Sequence, residues 1–385
     1  MSRTMDGFKS QERGIQICGS PGISMDGIRR KFLDYLNEIG IRPIVKIDEH
    51  GDSTNQRLGF YLDDIDANRL APGYDTSVIC YNESLDTTMS SVDLEREILL
   101  AMLVCPQPLT FSAYEELTSS VRIRRNIVQA ARKTSLSFAT DEAERPEEYW
   151  EYNEDRGFIL KPNQPLIKAL ERATQPGESG KRYTFSCRRA GEYIVLLAVT
   201  METEFVNPLL FNDLHRQSEH RALKGREFER IFHRQIGSPE KPLPLKFFIP
   251  GDRTWFRNPD PISSEIVGYE GSWTFYLGSG VFADFWRPHQ VYNLTTKCLA
   301  IYHWRNSAYR DANGELQIDE QQVEALTDAA LQDPAATDAI LMQMIQLQEP
   351  LTVFAGGCIE PHRDSIRQIC QQTADLMLPD VDSIR

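Results

Sequence analysis

The sequence predicts an α/β protein of the α+β kind, with helical and strand-forming segments set apart along the chain. Three observations lead there. Apolar residues recur every three to four positions in several segments, as one face of a helix requires. The stretch from Pro242 to Trp286 is rich in Gly, Pro and aromatics, as a sheet with tight turns requires. The 385 residues, 41% of them hydrophobic, suffice for one large domain or two to three smaller ones.

Taken in order, the first helix is "SMDGIRRKFLDYLNEIG": Ser24 caps it, Ile28, Phe32, Leu36 and Ile39 form its apolar stripe, and Gly40 stops it. The strand-like "RPIVKI" follows. Pro72-Gly73 marks a turn, and "TSVICY" is expected to be a short buried strand. These elements make an N-terminal mixed α/β domain, residues 1–105. The amphipathic helix "SVDLEREILLAMLV" closes it, since Pro106 and Pro108 punctuate the chain there. Beyond it, "SAYEELTSSVRIRRNIVQAARKTSL" is a long helix with Leu117, Val121, Ile127, Val128 and Ala131 on its apolar side. "DEAERPEEYWEYNEDRG" is expected to be a loop, and Pro165 starts the next helix.

"NPLLFNDLHRQSEHRALKGREFERIFHRQIG" is a further helical stretch, and the aromatic-rich segment after it is the sheet of a second domain, residues 106–310. After Arg310 only Arg363, Arg367 and Arg385 are basic. Residues 311–385 are accordingly expected to form a helical, acidic C-terminal region covering the second domain.

A formal charge of −14 argues against a nucleic-acid surface, because phosphate binding needs a basic stripe. The opening "MSRTMDGFKSQERGIQIC" mixes charges and lacks a sustained apolar run, and no segment reaches the roughly 18 apolar residues of a membrane span. Neither a secretory signal nor a membrane partner is expected. Seven scattered cysteines suggest free thiols in a reducing, cytoplasmic setting.

No metal or cofactor is expected either. His215 and His220 sit five apart, roughly 140° out of register on a helix, where a zinc pair favours a spacing of four. "YLGSGVF" lacks the full glycine fingerprint of a dinucleotide site, and no G-x-S-x-G elbow is present.

Cys187, in "YTFSCRRAGEYIVLLAV", stands where a polar run meets an apolar helical run. A helix N-terminus supplies free N–H groups and partial positive charge, which lower a thiol's pKa and bind an oxyanion. Ser186 and Arg188 flank it. On this chain alone, a buried structural cysteine stands beside a nucleophile as an open reading.

From about Ser119 to Pro288 the chain resembles the bacterial spore-coat type of protein-glutamine γ-glutamyltransferase, a compact transglutaminase. Five pieces come in that family's order: "RRNIVQAARKTSLSFAT", Tyr149-Trp150, "YTFSCRRA", "FFIPGDRTWFRNPD" and "YEGSWTFYLGSGVFADF". The resemblance implies a papain-like or NlpC-like core. It also implies a cysteine, falling on Cys187, that attacks the γ-carboxamide of a protein glutamine, releases ammonia and passes the acyl group to a lysine or other primary amine. The implied partners are a glutamine-bearing protein or peptide and an amine acceptor. No metal or nucleotide is implied.

The chain departs from the family at its acid/base positions. The residue before the cysteine is Ser186 where the family has Glu, the family's catalytic Glu falls on Ser272, and its His falls on Asp284. Glu270, two residues before Ser272, is a substitute by the period of an extended strand. Three readings stay open: Glu270 or Asp284 pairs with Cys187; His289 or His303 pairs with it, as in a glutamine deamidase or cysteine peptidase; or the fold is retained as an inactive binding protein. Of the aromatics Trp255, Phe256, Trp273, Phe275, Phe282, Phe285 and Trp286, most are expected in the core, with Trp255 and Trp273 lining a tunnel that keeps water from a thioester.

Overall fold

The computed structural model describes residues 13–19, 24–51, 56–138, 143–177, 180–287, 290–349 and 354–380. It is a mixed α/β protein. Near the N-terminus a four-stranded sheet runs in the order Val45–His50, Arg57–Leu62, Ile15–Cys18, Leu109–Phe111. The helix Met25–Glu38 buries Ile28, Phe32 and Leu36, the stripe anticipated from spacing, and the Ser24 hydroxyl accepts the Gly27 N–H at 3.1 Å.

"TSVICY" is helical instead of extended: a 3-10 turn at Thr76–Val78 runs into the short helix Ile79–Glu83. Its start is dictated by Asp75, whose carboxylate accepts the Ser77 N–H, while Thr76 Oγ1 ties the turn to the Phe248 carbonyl at 2.7 Å. Tertiary anchoring and a cap outweigh β-propensity here. The segment expected as a loop at 141–157 holds one arm of a hairpin, Trp150–Asn153 paired with Gly157–Leu160. Trp150 is buried and its indole N–H reaches the Ala169 carbonyl at 3.1 Å, so burial of one ring organises a sequence that is otherwise charged.

A six-stranded antiparallel sheet forms the second half, in the order Val291–Asn293, Val281–Ala283, Gly271–Gly278, Arg253–Arg257, Arg363–Ile366, His233–Ile236. The aromatic-rich segment supplies three of its strands, as anticipated. The helices Tyr114–Lys133, Leu166–Thr174 and Cys187–Val206 pack together, the last two in direct contact and the first and third resting on the strand Gly271–Gly278.

Two strands cross the divisions expected at 105/106 and 310/311. Leu109–Phe111 pairs with Ile15–Ile17 in the first sheet, and Arg363–Ile366 lies inside the second. One buried apolar cluster runs from Ile15 through Ile194 to Leu376. The C-terminal region does carry the helices Glu320–Leu331 and Pro334–Met344, but it also contributes sheet, because an acidic average composition hides the short apolar-flanked run around Arg363. Among the described residues no helix is long and apolar enough to cross a membrane.

Candidate active site

The short strand Thr184–Phe185 turns into a helix at Ser186, whose hydroxyl accepts the Arg189 N–H and caps it. Cys187 is the first helical residue. Arg145 fixes the approach: its guanidinium lies 3.3 Å from the Phe185 ring centroid and donates to the Thr184 carbonyl at 2.9 Å. Downstream, Ala190, Ile194, Val195 and Ala198 are buried, so the cysteine is held on a packed, rigid element.

In front of it lies a cavity of about 670 Å³, lined by Cys187, Ser272, Trp273, Asp284, Tyr292 and Lys297 among others. They come from separate elements of the fold. The strand Gly271–Gly278 brings Ser272 and Trp273, and the bend after Val281–Ala283 brings Asp284. Asn293 then opens the helix Leu294–Trp304 with a reciprocal capping box to Thr296, which sets Lys297 at the end of the first turn. Trp286 and Trp304 add apolar wall, and the acidic helix Glu320–Leu331 closes one side.

The polar groups of this lining act on one another. The backbone N–H groups of Trp273 and Arg188 and the charges of Lys297 and Arg253 all favour the Cys187 thiolate. Burial nevertheless dominates and pushes the thiol up from its ordinary value, which corrects the expectation that the helix start would leave it lowered: the N–H groups and cations oppose the cost of desolvation without cancelling it. Burial pushes the Lys297 ammonium down, opposed by Asp284 and Cys187. Burial thus moves the proton affinities of the thiol and the amine toward each other from their ordinary values of about 8.5 and 10.4.

Asp284 is oriented by its own turn, Oδ1 accepting the N–H groups of Trp286 at 3.0 Å and Arg287 at 3.2 Å. The Tyr292 ring centroid lies 4.5 Å from Lys297 Nζ, and burial, opposed by Thr274 and Ser272, keeps the phenol protonated.

The structure thus brings Cys187, Asp284 and Trp273 to one cavity and leaves other anticipated residues outside it. Glu270 precedes the strand instead of lying in it, and its carboxylate turns back to the Gly268 N–H at 3.0 Å. His303 belongs to the helix Leu294–Trp304, and its Nδ1 pairs with Asn306 at 3.1 Å away from the cavity. Trp255 lies behind Trp273, ring centroids 5.0 Å apart, over a Gly271 at which any side chain would collide with its indole. Arg188 faces outward to Glu229 at 2.9 Å. His289, like Ala139 and Thr140 of the first motif piece, lies outside the described residues. Of the other aromatics, Phe256, Phe275, Phe282 and Phe285 are buried in the core as expected.

Lys297 and Tyr292 are absent from the expected set. The signal was present in "NLTTKCLAIYHW": an Asn cap and a solitary cation in the first turn of an otherwise apolar helix. Other motif residues are structural. Asp252 of "IPGD" holds the buried Arg124 at 2.7 Å, and Asn258 of "FRNPD" ties the next loop to Ser263 and Tyr269.

The sequence model of the family described as protein-glutamine gamma-glutamyltransferase matches residues 76–328, more than half of the chain and all of this cavity's lining except Leu331. The chain belongs to the protein-glutamine gamma-glutamyltransferase family. A protein-glutamine gamma-glutamyltransferase of Halalkalibacterium halodurans is 24% identical over 203 residues, which are 52% of this chain and 66% of that relative. The match thus spans just under two thirds of the relative's length. A solved transglutaminase from Geobacillus stearothermophilus, without its C-terminal extension, superposes with a TM-score of 0.39 at 21% identity, covering 56% of this chain and 96% of that one. The matched transglutaminase segment extends past the 119–288 resemblance at both ends and includes Lys297.

Proposed function

We propose that the protein transfers the acyl group of a protein-bound glutamine to a primary amine through a thioester on Cys187, with Lys297 as the proton carrier and Asp284 as its counter-charge. The observation that carries this is the shared, aromatic-walled cavity of Cys187 and Lys297, with their proton affinities drawn together by burial. Cys187 passes its proton to the Lys297 amine, and the thiolate attacks the γ-carboxamide carbon. The N–H groups of Arg188 and Trp273 are the donors available to the developing oxyanion. The C–N bond breaks, Lys297 protonates the departing ammonia, and a thioester remains.

A neutral amine then attacks, the C–S bond breaks to return the thiolate, and the amine's proton goes to Lys297. Water in place of the amine gives deamidation, which the tryptophan walls disfavour. A cysteine opening a buried helix packed on an antiparallel sheet supports the papain-like reading of the core. Seven unpaired thiols support a reducing, cytoplasmic setting.

Incubation with a glutamine-bearing peptide and a labelled primary amine tests the proposal. Amine incorporation with equimolar ammonia release is expected, and both vanish in Cys187→Ala. Incorporation that persists in that variant overturns the assignment.

A further inference from the structure

The segment beyond the matched family region reaches the site from behind. Asp364, on the strand Arg363–Ile366, lies directly opposite Arg253 in the sheet and accepts from its Nη1 at 3.3 Å. Arg253 is a buried cation, 1% exposed, whose guanidinium lies 3.7 Å from the Trp273 ring centroid. Its other nitrogen reaches Glu229 at 3.5 Å, a carboxylate shared with Arg188. Against its remaining side stands Gly191 of the Cys187 helix, where a Cβ would come within 3.3 Å of Arg253 Nε. Arg253 is therefore clamped between the helix that carries the thiol and the indole of Trp273, which lines the same cavity as Cys187.

We propose that Asp364 is a positioning residue of the Cys187 site, holding Arg253 as the cation that braces Trp273 and tempers the thiol. This rests on the reading of Cys187 as nucleophile. Two carboxylates on a single buried guanidinium also reduce the positive potential it sends to the sulfur, so Asp364 and Arg253 act on the thiol with opposite signs. The other groups around the pair are Asp252, Glu360, Arg363 and His233, whose Nδ1 is 3.9 Å from Asp364 and which burial keeps neutral. Those acting on Cys187 from the cavity side are Lys297 directly and Asp284 through it.

The test is the pH dependence of Cys187 alkylation by iodoacetamide, followed on the Cys187 peptide by mass spectrometry. Arg253→Met is expected to move the midpoint up by about 0.5 unit, and Asp364→Asn to move it down by a similar amount. Glu229→Gln, at a partly exposed position, moves it down as well. A merely structural role predicts shifts of one sign or none. Unshifted midpoints in folded variants, or shifts of Arg253→Met and Asp364→Asn in the same direction, overturn the proposal. Alkylation needs no turnover, so wild-type protein that alkylates as described but incorporates no amine refutes the functional reading and leaves this inference standing.

Discussion

Cys187 and Cys80 are both thiols near the end of a helix, both pushed up by burial, and both beside an ionisable side chain. Their neighbours differ in sign. Cys80 faces Glu97, a buried carboxylate that accepts the Ser279 N–H at 2.8 Å and raises the thiol further. Cys370 repeats this beside Glu116, with its thiol pushed up to about 12. Around Cys187 every group that burial must overcome pulls the other way: two N–H donors and two cations. Burial alone makes a thiol inert; burial with cations makes one whose proton has somewhere to go.

The two thiols differ most when each is removed in turn. Cys187→Ala is expected to remove amine incorporation by roughly 10³-fold or more, while Cys80→Ala leaves the rate within about twofold. Comparable losses in both, measured as initial rates, erase the distinction. Next in size is Lys297→Met, for which a fall of about 10²–10⁴ in Cys187 acylation is expected. The sign of its pH effect is fixed: Lys297 lowers the Cys187 pKa, so its removal moves the alkylation midpoint up. Lys297→Arg keeps the charge without the proton-accepting amine, and restores the midpoint but not the rate.

Asp284→Asn sharpens the picture with a smaller effect of the opposite sign. Asp284 raises the Lys297 pKa, so its loss lets the pair lose its first proton at lower pH, and the midpoint falls by less than about one unit. The smallest effect concerns stability. Glu360 is buried against the sheet, accepts the Trp255 N–H at 2.9 Å, and is raised to about 8 by burial and then by Asp364. Because the folded state holds this proton more tightly than the unfolded chain, stability falls as pH rises from about 4.3 to about 8. Glu360→Gln, which still accepts the N–H, is expected to raise Tm by ~2–4 °C at pH 8 and to change it little at pH 4. Equal shifts at both pH values contradict the raised proton affinity of Glu360.

Much of this was legible in the sequence where one local rule governs. The capped helix at Met25–Glu38 and the cysteine opening Cys187–Val206 follow from spacing and caps that operate within a few residues. Asp284 was legible through the ordered motif series. What escaped depends on distant packing. "TSVICY" is made helical by its tie to Phe248, and the 150–160 hairpin is organised by the contact of Trp150 with Ala169. Glu270 was proposed from strand periodicity, yet the strand begins one residue later and the register argument lapses. Lys297 lies 110 residues from Cys187 in a segment whose own pattern is helical, and only the closed sheet brings them together.

The central claim is a thioester on Cys187, and it is tested most directly by trapping. Protein incubated with a glutamine-bearing peptide in the absence of an amine, then quenched in acid and digested, is expected to carry the peptide mass less ammonia on the Cys187 fragment. Hydroxylamine should remove it and release the hydroxamate. An adduct on Cys80, Cys298 or another thiol, or no adduct while amine incorporation continues, would contradict the account.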